Sequence, residues 1–497
     1  MTVARPNIIL VFTDQLRGDA VCLPGAPVIA PNLDRLAREG VVFAQCVSNS
    51  PLCVPARASL MTGRLPREHG AWSNAAGADE HGPSHVRNIR DAGYRTAVFG
   101  KTHLWRVGPG GRAGMHAREM DHNLAAWGFD ERLEVNDPIG TRFMGCAYTD
   151  YLESRGWLAA HQEYMHAWVA EIRDGDVKPW DQQPAPVPEG EDIDSFIGRR
   201  AVEWLREHIR GGEGGPFYLQ AQFTGPHDPY DAPMAWRNRY RPAELDPGIA
   251  TLPELPMPKL IQARLERAPS LTAASTEQRQ RWRANYYANV SLIDHWIGEL
   301  LAVLEESDAL ARTWIVFNSD HGELLGDHGL WGKAAFYEGA VHVPCIMRAP
   351  AGGGAPHGGG GRVVRGLTEQ IDIPVTLVDV AGAEPLPSGL GRSLRATVES
   401  GTDGDPGKEV VLSELFGQVM LRTHRYKLVV RLEDHERYQF FDLSDDPQET
   451  RNLVADPAQQ PTIDALIGDY LLPLKRRTDL DRLARYRAYV RRTGSIN

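Results

Sequence analysis

Four apolar runs in this chain each end on a cluster of polar and ionisable residues, and that recurrence restricts the fold more than any other feature. Asn7-Ile8-Ile9-Leu10-Val11-Phe12 leads into Thr13-Asp14-Gln15, and Tyr94-Arg95-Thr96-Ala97-Val98-Phe99 leads into Gly100-Lys101-Thr102-His103. Phe217-Tyr218-Leu219-Gln220-Ala221-Gln222-Phe223 delivers Thr224-Gly225-Pro226-His227-Asp228, and Trp314-Ile315-Val316-Phe317-Asn318-Ser319 delivers Asp320-His321-Gly322-Glu323. Runs of this kind suit strands covered on both faces, the usual condition in a parallel sheet. Helical stretches lie between them: Pro31 to Glu39 with Gly40 as stop, Val86 to Ala92, Ser195 to Ile209, and Gln278 to Glu306. The expected fold class is α/β, a large mixed, mostly parallel sheet flanked by helices. Ligands of open α/β sheets bind at the C-terminal ends of the strands. Asp14, Lys101 with His103, His227, and Asp320 with His321 are therefore expected on one edge.

A further stretch joins this set. In Ser50-Pro51-Leu52-Cys53-Val54-Pro55-Ala56-Arg57-Ala58-Ser59-Leu60-Met61-Thr62-Gly63-Arg64, the prolines suit a helix entry and Gly63 a helix stop. Cys53 then lies at the positive end of the helix dipole, and Arg57, four residues on, shares its face. Taken by themselves these residues leave two readings open, a small buried hydrophobe or a nucleophile that needs a base nearby.

The rest of the chain carries weaker signals. Asn74, in the turn-rich segment Gly70 to Ala76, is either a donor to a substrate oxygen or the closer of an Asx turn. Val41 to Ala44 and Val343 to Met347 read as strands, and Thr368 to Val380 as the last helix of a large domain. The segment from Trp105 to Pro216 reads as an insertion that shapes a substrate pocket, and Ala351 to Gly361 as a Gly-rich loop. Asp327 and His328 read as structural. Beyond about residue 400, strand-like runs at Val410 to Leu415, Gln418 to Leu421, Tyr426 to Val430 and Gln439 to Leu443 follow one another by short turns. That pattern predicts an antiparallel sheet in a small α+β domain, with boundaries at residues 1–400 and 401–497.

Cys53-x-Pro55-x-Arg57 followed by Ala58-Ser59-Leu60-Met61-Thr62-Gly63-Arg64 resembles the signature of the type I sulfatases, in the alkaline phosphatase superfamily. Gly100-Lys101-Thr102-His103, the segment from Asp320 to Lys333 and the segment from Asp442 to Leu453 agree with it. The resemblance implies an alkaline phosphatase-like fold and oxidation of Cys53 to formylglycine by an external formylglycine-generating enzyme. It implies one divalent cation, Ca²⁺ or Mn²⁺, held by Asp14, Gln15, Asp320, His321 and the modified residue 53. In the mechanism it implies, the hydrated aldehyde attacks the ester, Asp320 takes its proton, and Arg57 and Lys101 orient the diol. His227 and Lys333 stand near the leaving oxygen, and His103 expels sulfate. The expected substrate is a small-molecule sulfate ester. Gln15 stands where many sulfatases have a second aspartate, and His321 where an asparagine is common. In both, the chain looks more like choline sulfatase and the phosphonate monoester hydrolases, which makes phosphonate monoester or phosphodiester hydrolysis the alternative.

Composition narrows the partners. A formal net charge of -11 argues against a nucleic-acid surface. No stretch has the roughly 20 apolar residues that span a bilayer. Cys22, Cys46, Cys53, Cys146 and Cys345 are odd in number and lack metal-type pairing, and no signal peptide is visible, so a cytoplasmic location is expected. The assembly state, a homo-oligomer included, is left open.

Overall fold

The first apolar run forms β1 (Asn7–Thr13), every residue of it buried. The structure, a computed structural model, describes residues 5–104, 114–175, 177–211, 215–254, 257–350, 361–387, 389–400, 405 and 407–475. In chain order the other strands among them are β2 (Val41–Phe43), β3 (Cys46–Val47), β4 (Arg95–Gly100), β5 (Glu131–Glu134), β6 (Phe217–Gln222) and β7 (Thr313–Ser319). Then come β8 (His342–Val343), β9 (Cys345–Arg348), β10 (Arg362–Val364), β11 (Thr368–Glu369), β12 (Val411–Leu415), β13 (Gln418–Arg422), β14 (Tyr426–Arg431) and β15 (Arg437–Asp442).

The large sheet has eight strands in the order β10-β2-β9-β7-β1-β6-β4-β5. β1 runs parallel to β6 and β7, β4 is parallel to β5 and β6, and β10 is parallel to β2; β9 is antiparallel to both its neighbours. The mostly parallel α/β sheet expected from the apolar runs is the one observed. Successive side chains of a strand point to opposite faces, and β1 shows this directly. Ile9 and Val11 pack in one core with residues of the helices Thr276–Glu306 and Ile193–Arg210. Ile8, Leu10 and Phe12 pack in another with residues of the helices Cys53–Thr62, His85–Asp91 and Asp372–Ala381. Each aliphatic side chain so buried contributes about 1.5–3 kcal/mol, which is why the runs carry no polar alternation.

β12, β13, β14 and β15 form the expected antiparallel sheet, in chain order. Ile463, Leu466, Ile467 and Leu471 of the helical turns that follow share a core with Val419, Leu421 and Leu428 of this sheet. Its first strand grips the segment before Cys53: Glu414 N–H donates to the Asn49 carbonyl at 2.9 Å, and Ser50 Oγ donates to the Glu414 carbonyl at 2.7 Å.

Some expectations are corrected. Thr368 to Val380 is not one helix: Thr368–Glu369 pair with β3, and the helix runs over Asp372–Ala381, with Pro374 in its first turn. Val343 to Met347 is broken at Pro344, where β8 ends and β9 begins in a different sheet. Besides Ile193–Arg210, the helix expected over Ser195 to Ile209, the segment from Trp105 to Pro216 contains the helices Asp121–Trp127, Ala147–Arg155 and Leu158–Asp174, so it is more regular than its turn-rich sequence suggests. Trp105 and most of the Gly-rich loop lie outside the described residues. Among the described residues, no helix is long and apolar enough to cross a membrane, and all five cysteines are unpaired.

Candidate active site

β7, β1, β6 and β4 are neighbours and parallel, so their C-terminal ends open side by side. The edge carries Asp320, Asp14 with Gln15, His227 and Lys101 with His103, all buried. Gly100 lets the last two strands close together: its φ is +119°, and a Cβ there would stand 1.8 Å from the Gln222 carbonyl oxygen.

Cys53 opens a ten-residue helix in which every residue is buried. Leu52, at the N-cap, supplies no side-chain cap, and Asn74 takes its place by accepting from the Val54 N–H at 3.1 Å. Gly63, at φ 67°, closes the helix by donating to the Ser59 carbonyl. Asn74 thus serves the helix that presents the cysteine.

Around Cys53 Sγ stand His321 Nε2 at 3.3 Å, Asp14 Oδ1 at 3.8 Å and Lys333 Nζ at 2.9 Å. Ligand atoms of Asp14, Cys53, Asp320 and His321 all lie within 4.8 Å of one another. His321 Nδ1 lies 3.0 Å from the Gly322 carbonyl, which fixes the proton there and leaves the Nε2 lone pair facing the cluster. Gln15 holds φ 73°, in the left-handed region, and its N–H donates to Asp320 Oδ1 at 2.9 Å. Its side-chain Oε1 is buried without a hydrogen-bond partner. Two carboxylates, an imidazole nitrogen and an amide oxygen are a donor set that fits a divalent cation.

Cations crowd the same carboxylates. Arg57 Nε donates to Asp320 Oδ2 at 2.8 Å, its Nη2 to Asp14 Oδ2 at 3.2 Å and its Nη1 to Gln222 Oε1 at 2.8 Å, and its guanidinium lies over the Phe12 ring. Arg57 therefore organises the two aspartates. Lys101 Nζ pairs with Asp14 Oδ2. Burial pushes the Asp14 carboxyl up, but Lys101, His227, Arg57 and Lys333 outweigh it and hold Asp14 well below the usual carboxylate range. Burial pulls His227 down, as does Lys333, yet Asp228, Asp14 and the nearby Cys53 side chain leave its pKa raised. Burial likewise opposes the charge on Lys333, and the Cys53 side chain, Asp14 and Asp320 raise its pKa instead. His321 is lowered by burial, which suits a neutral ligand.

Loops fix the remaining pieces. Thr102 and His103 donate their N–H groups to Glu134 Oε1 at 2.9 and 3.3 Å, and His103 adopts φ 56°. Lys333 follows Gly332, whose N–H donates to Glu323 Oε1 at 2.6 Å, and the Ala334 N–H donates to the Pro51 carbonyl at 2.9 Å. Asp327 binds Arg17 and Arg283, and His328 stacks on Tyr337, so neither joins the cluster. Sequence reasoning gave no role to Glu323, Gln222 or Glu134. Gln222 had a signal, a polar side chain inside an apolar run; Glu323 lay within a motif already singled out.

A helix that presents a buried cysteine to a carboxylate–histidine cluster, on the C-terminal edge of a mostly parallel sheet, defines the class: a hydrolase with the alkaline phosphatase-like fold. The chain belongs to the sulfatase family, the sulfuric ester hydrolases: residues 6–383 match the family described as Sulfatase. Residues 326–474 match the C-terminal family described as N-sulphoglucosamine sulphohydrolase, C-terminal. The chain is 32% identical to the choline-sulfatase of Rhizobium meliloti, over 92% of this chain and 84% of that one. It is 28% identical to an arylsulfatase of Clostridium perfringens, over 93% of each. The crystal structure of the phosphonate monoester hydrolase of Agrobacterium radiobacter superposes with a TM-score of 0.75 at 26% identity, covering 95% of this chain and 96% of that one.

Proposed function

We propose that the protein cleaves small-molecule sulfate monoesters at residue 53, after a formylglycine-generating enzyme has oxidised Cys53, with Ca²⁺ or Mn²⁺ held by Asp14, Gln15, Asp320 and His321. The observation that carries this reading is the convergence of Asp14, His321 and Lys333 on one buried side chain. When present, the hydrated aldehyde supplies an oxygen nucleophile and the cation draws charge from the ester oxygens. The chain's own groups do the rest. Asp320 is the base for the attacking hydroxyl. Lys101 and Arg57 balance the aspartates, so the pocket stays able to admit an anion. His227, whose pKa Asp228 and Asp14 raise, and Lys333, whose charge the side chain of residue 53 favours, face the leaving oxygen as acids. His103, held by Glu134, is the base that releases sulfate. Unpaired cysteines support residence in a reducing cytoplasm.

Mass spectrometry of the peptide that contains residue 53 tests the nucleophile: formylglycine is expected in active preparations, and full activity with cysteine alone overturns the reading. Cys53→Ala should abolish turnover while the protein stays folded. Gln15 favours a second reading, phosphonate monoester hydrolysis, because an amide in place of a carboxylate leaves the site more positive and more tolerant of different anions. Comparing kcat/KM for an aryl sulfate, choline sulfate and an aryl phenylphosphonate decides between them; a dominant phosphonate rate selects the second.

A further inference from the structure

Glu323 is fully buried, and each of its oxygens is engaged. Oε1 accepts from the N–H groups of Leu325 at 2.9 Å and Gly332 at 2.6 Å, and Oε2 accepts from Gln15 Nε2. A carboxylate only accepts hydrogen bonds, whereas a glutamine amide can turn either its oxygen or its nitrogen toward a neighbour. Glu323 therefore claims the nitrogen end of Gln15. The oxygen end is left buried without a partner, on a residue whose own N–H bonds Asp320 and which directly follows Asp14. An unpaired carbonyl oxygen in such a place is costly unless something electropositive meets it.

We propose that Glu323 is a positioning residue that selects which end of Gln15 faces the cation site, so that the amide acts as an oxygen ligand. This rests on the proposed cation site. A neutral residue at position 15 has two orientations, one of which offers N–H groups to a cation and repels it. The carboxylate behind it removes that second orientation. The same side chain holds the Gly332 N–H, so it also anchors the turn that presents Lys333.

Glu323→Gln separates these roles. The new side chain has the same shape, and its oxygen can keep the Leu325 and Gly332 N–H groups. Its NH₂ then faces Gln15 Nε2, donor against donor, and Gln15 relieves the clash by turning its nitrogen to the cation site. Adding Gln15→Glu restores a donor facing an acceptor and an oxygen facing the cation. The measurement is the affinity of purified, Cys53-containing protein for Mn²⁺ and for Ca²⁺ by titration calorimetry, with no activity readout. Wild type should bind, Glu323→Gln should bind about 10–100-fold more weakly, and the double variant should recover to at least wild-type affinity. Binding by Glu323→Gln within twofold of wild type overturns the inference, as does a double variant no better than the single. If Glu323→Gln does not fold, the double variant carries the test and must fold and bind. Wild-type protein that binds neither ion sinks the proposed cation site itself, a different outcome from either.

Discussion

Glu134, at the end of β5, is a carboxyl that burial keeps uncharged. One of its oxygens accepts from the Thr102 and His103 N–H groups, while Oε2 has no hydrogen-bond partner, and burial, opposed by those bonds, pushes its pKa up to about 8. In the unfolded chain the same group titrates near about 4.3. The folded state thus holds the proton more tightly, so its contribution to stability is complete below about pH 4 and is lost as pH rises through about 8. Denaturant unfolding between pH 5 and 9 should show stability falling with a slope of at most about 1.4 kcal/mol per pH unit from this group. Glu134→Gln, neutral at every pH, should flatten that part of the profile and be the more stable protein at pH 9. An unchanged slope would mean that Glu134 is ionised in the fold.

At the scale of elements, the close approach of β4 and β6 is what places Lys101. Gly100→Ala puts a methyl group on the Gln222 carbonyl and forces an L residue to φ +119°, so the strand ends must separate. A loss of about 3 kcal/mol or more in unfolding free energy is expected, with kcat falling at least tenfold because Lys101 leaves Asp14. Near-normal stability and turnover would show that this approach is dispensable.

The same scale explains what could be read from the amino acids alone. Strands covered on both faces advertise themselves as apolar runs, and the residue after such a run lands on the ligand edge, so Asp14, Lys101 and Asp320 were legible. Partners that reach the site from behind were not. Glu323 and Glu134 act by accepting main-chain N–H groups, and no spacing in a sequence marks which loop a carboxylate will bind. The helix at Asp372–Ala381 was drawn too early because Thr368 and Glu369 are compatible with either state, and their pairing with Cys46 and Val47 decides it. The helix Leu158–Asp174 buries His161, Met165 and Trp168 at helical spacing, a periodicity diluted by Ala and His residues.

For the whole molecule, the C-terminal sheet and the site are parts of one polar network. Asn49 donates to the Leu412 carbonyl at 3.0 Å and to Glu369 Oε1 at 3.2 Å, and accepts from the Ile371 N–H at 3.0 Å. Its neighbour Ser48 donates to the Asp320 carbonyl. Asn49→Ala removes three buried hydrogen bonds, although Glu369 Oε1 keeps the Leu412 N–H, and should cost about 2–4 kcal/mol, read from the urea midpoint, together with a drop in kcat although Asn49 touches no substrate. A stability loss with kcat untouched would confine its role to docking the sheet.

The helix that begins at Cys53 is buried along its whole length, and the cysteine itself is 1% exposed. A second protein that must grasp this stretch has no access to it once the sheet has closed. If Cys53 is oxidised as proposed, that step belongs to the interval between synthesis and folding, and each molecule has that interval once. On the same proposal, a molecule that closes with its thiol intact stays inert for its lifetime, and a preparation's activity is a record of how well translation and modification kept pace.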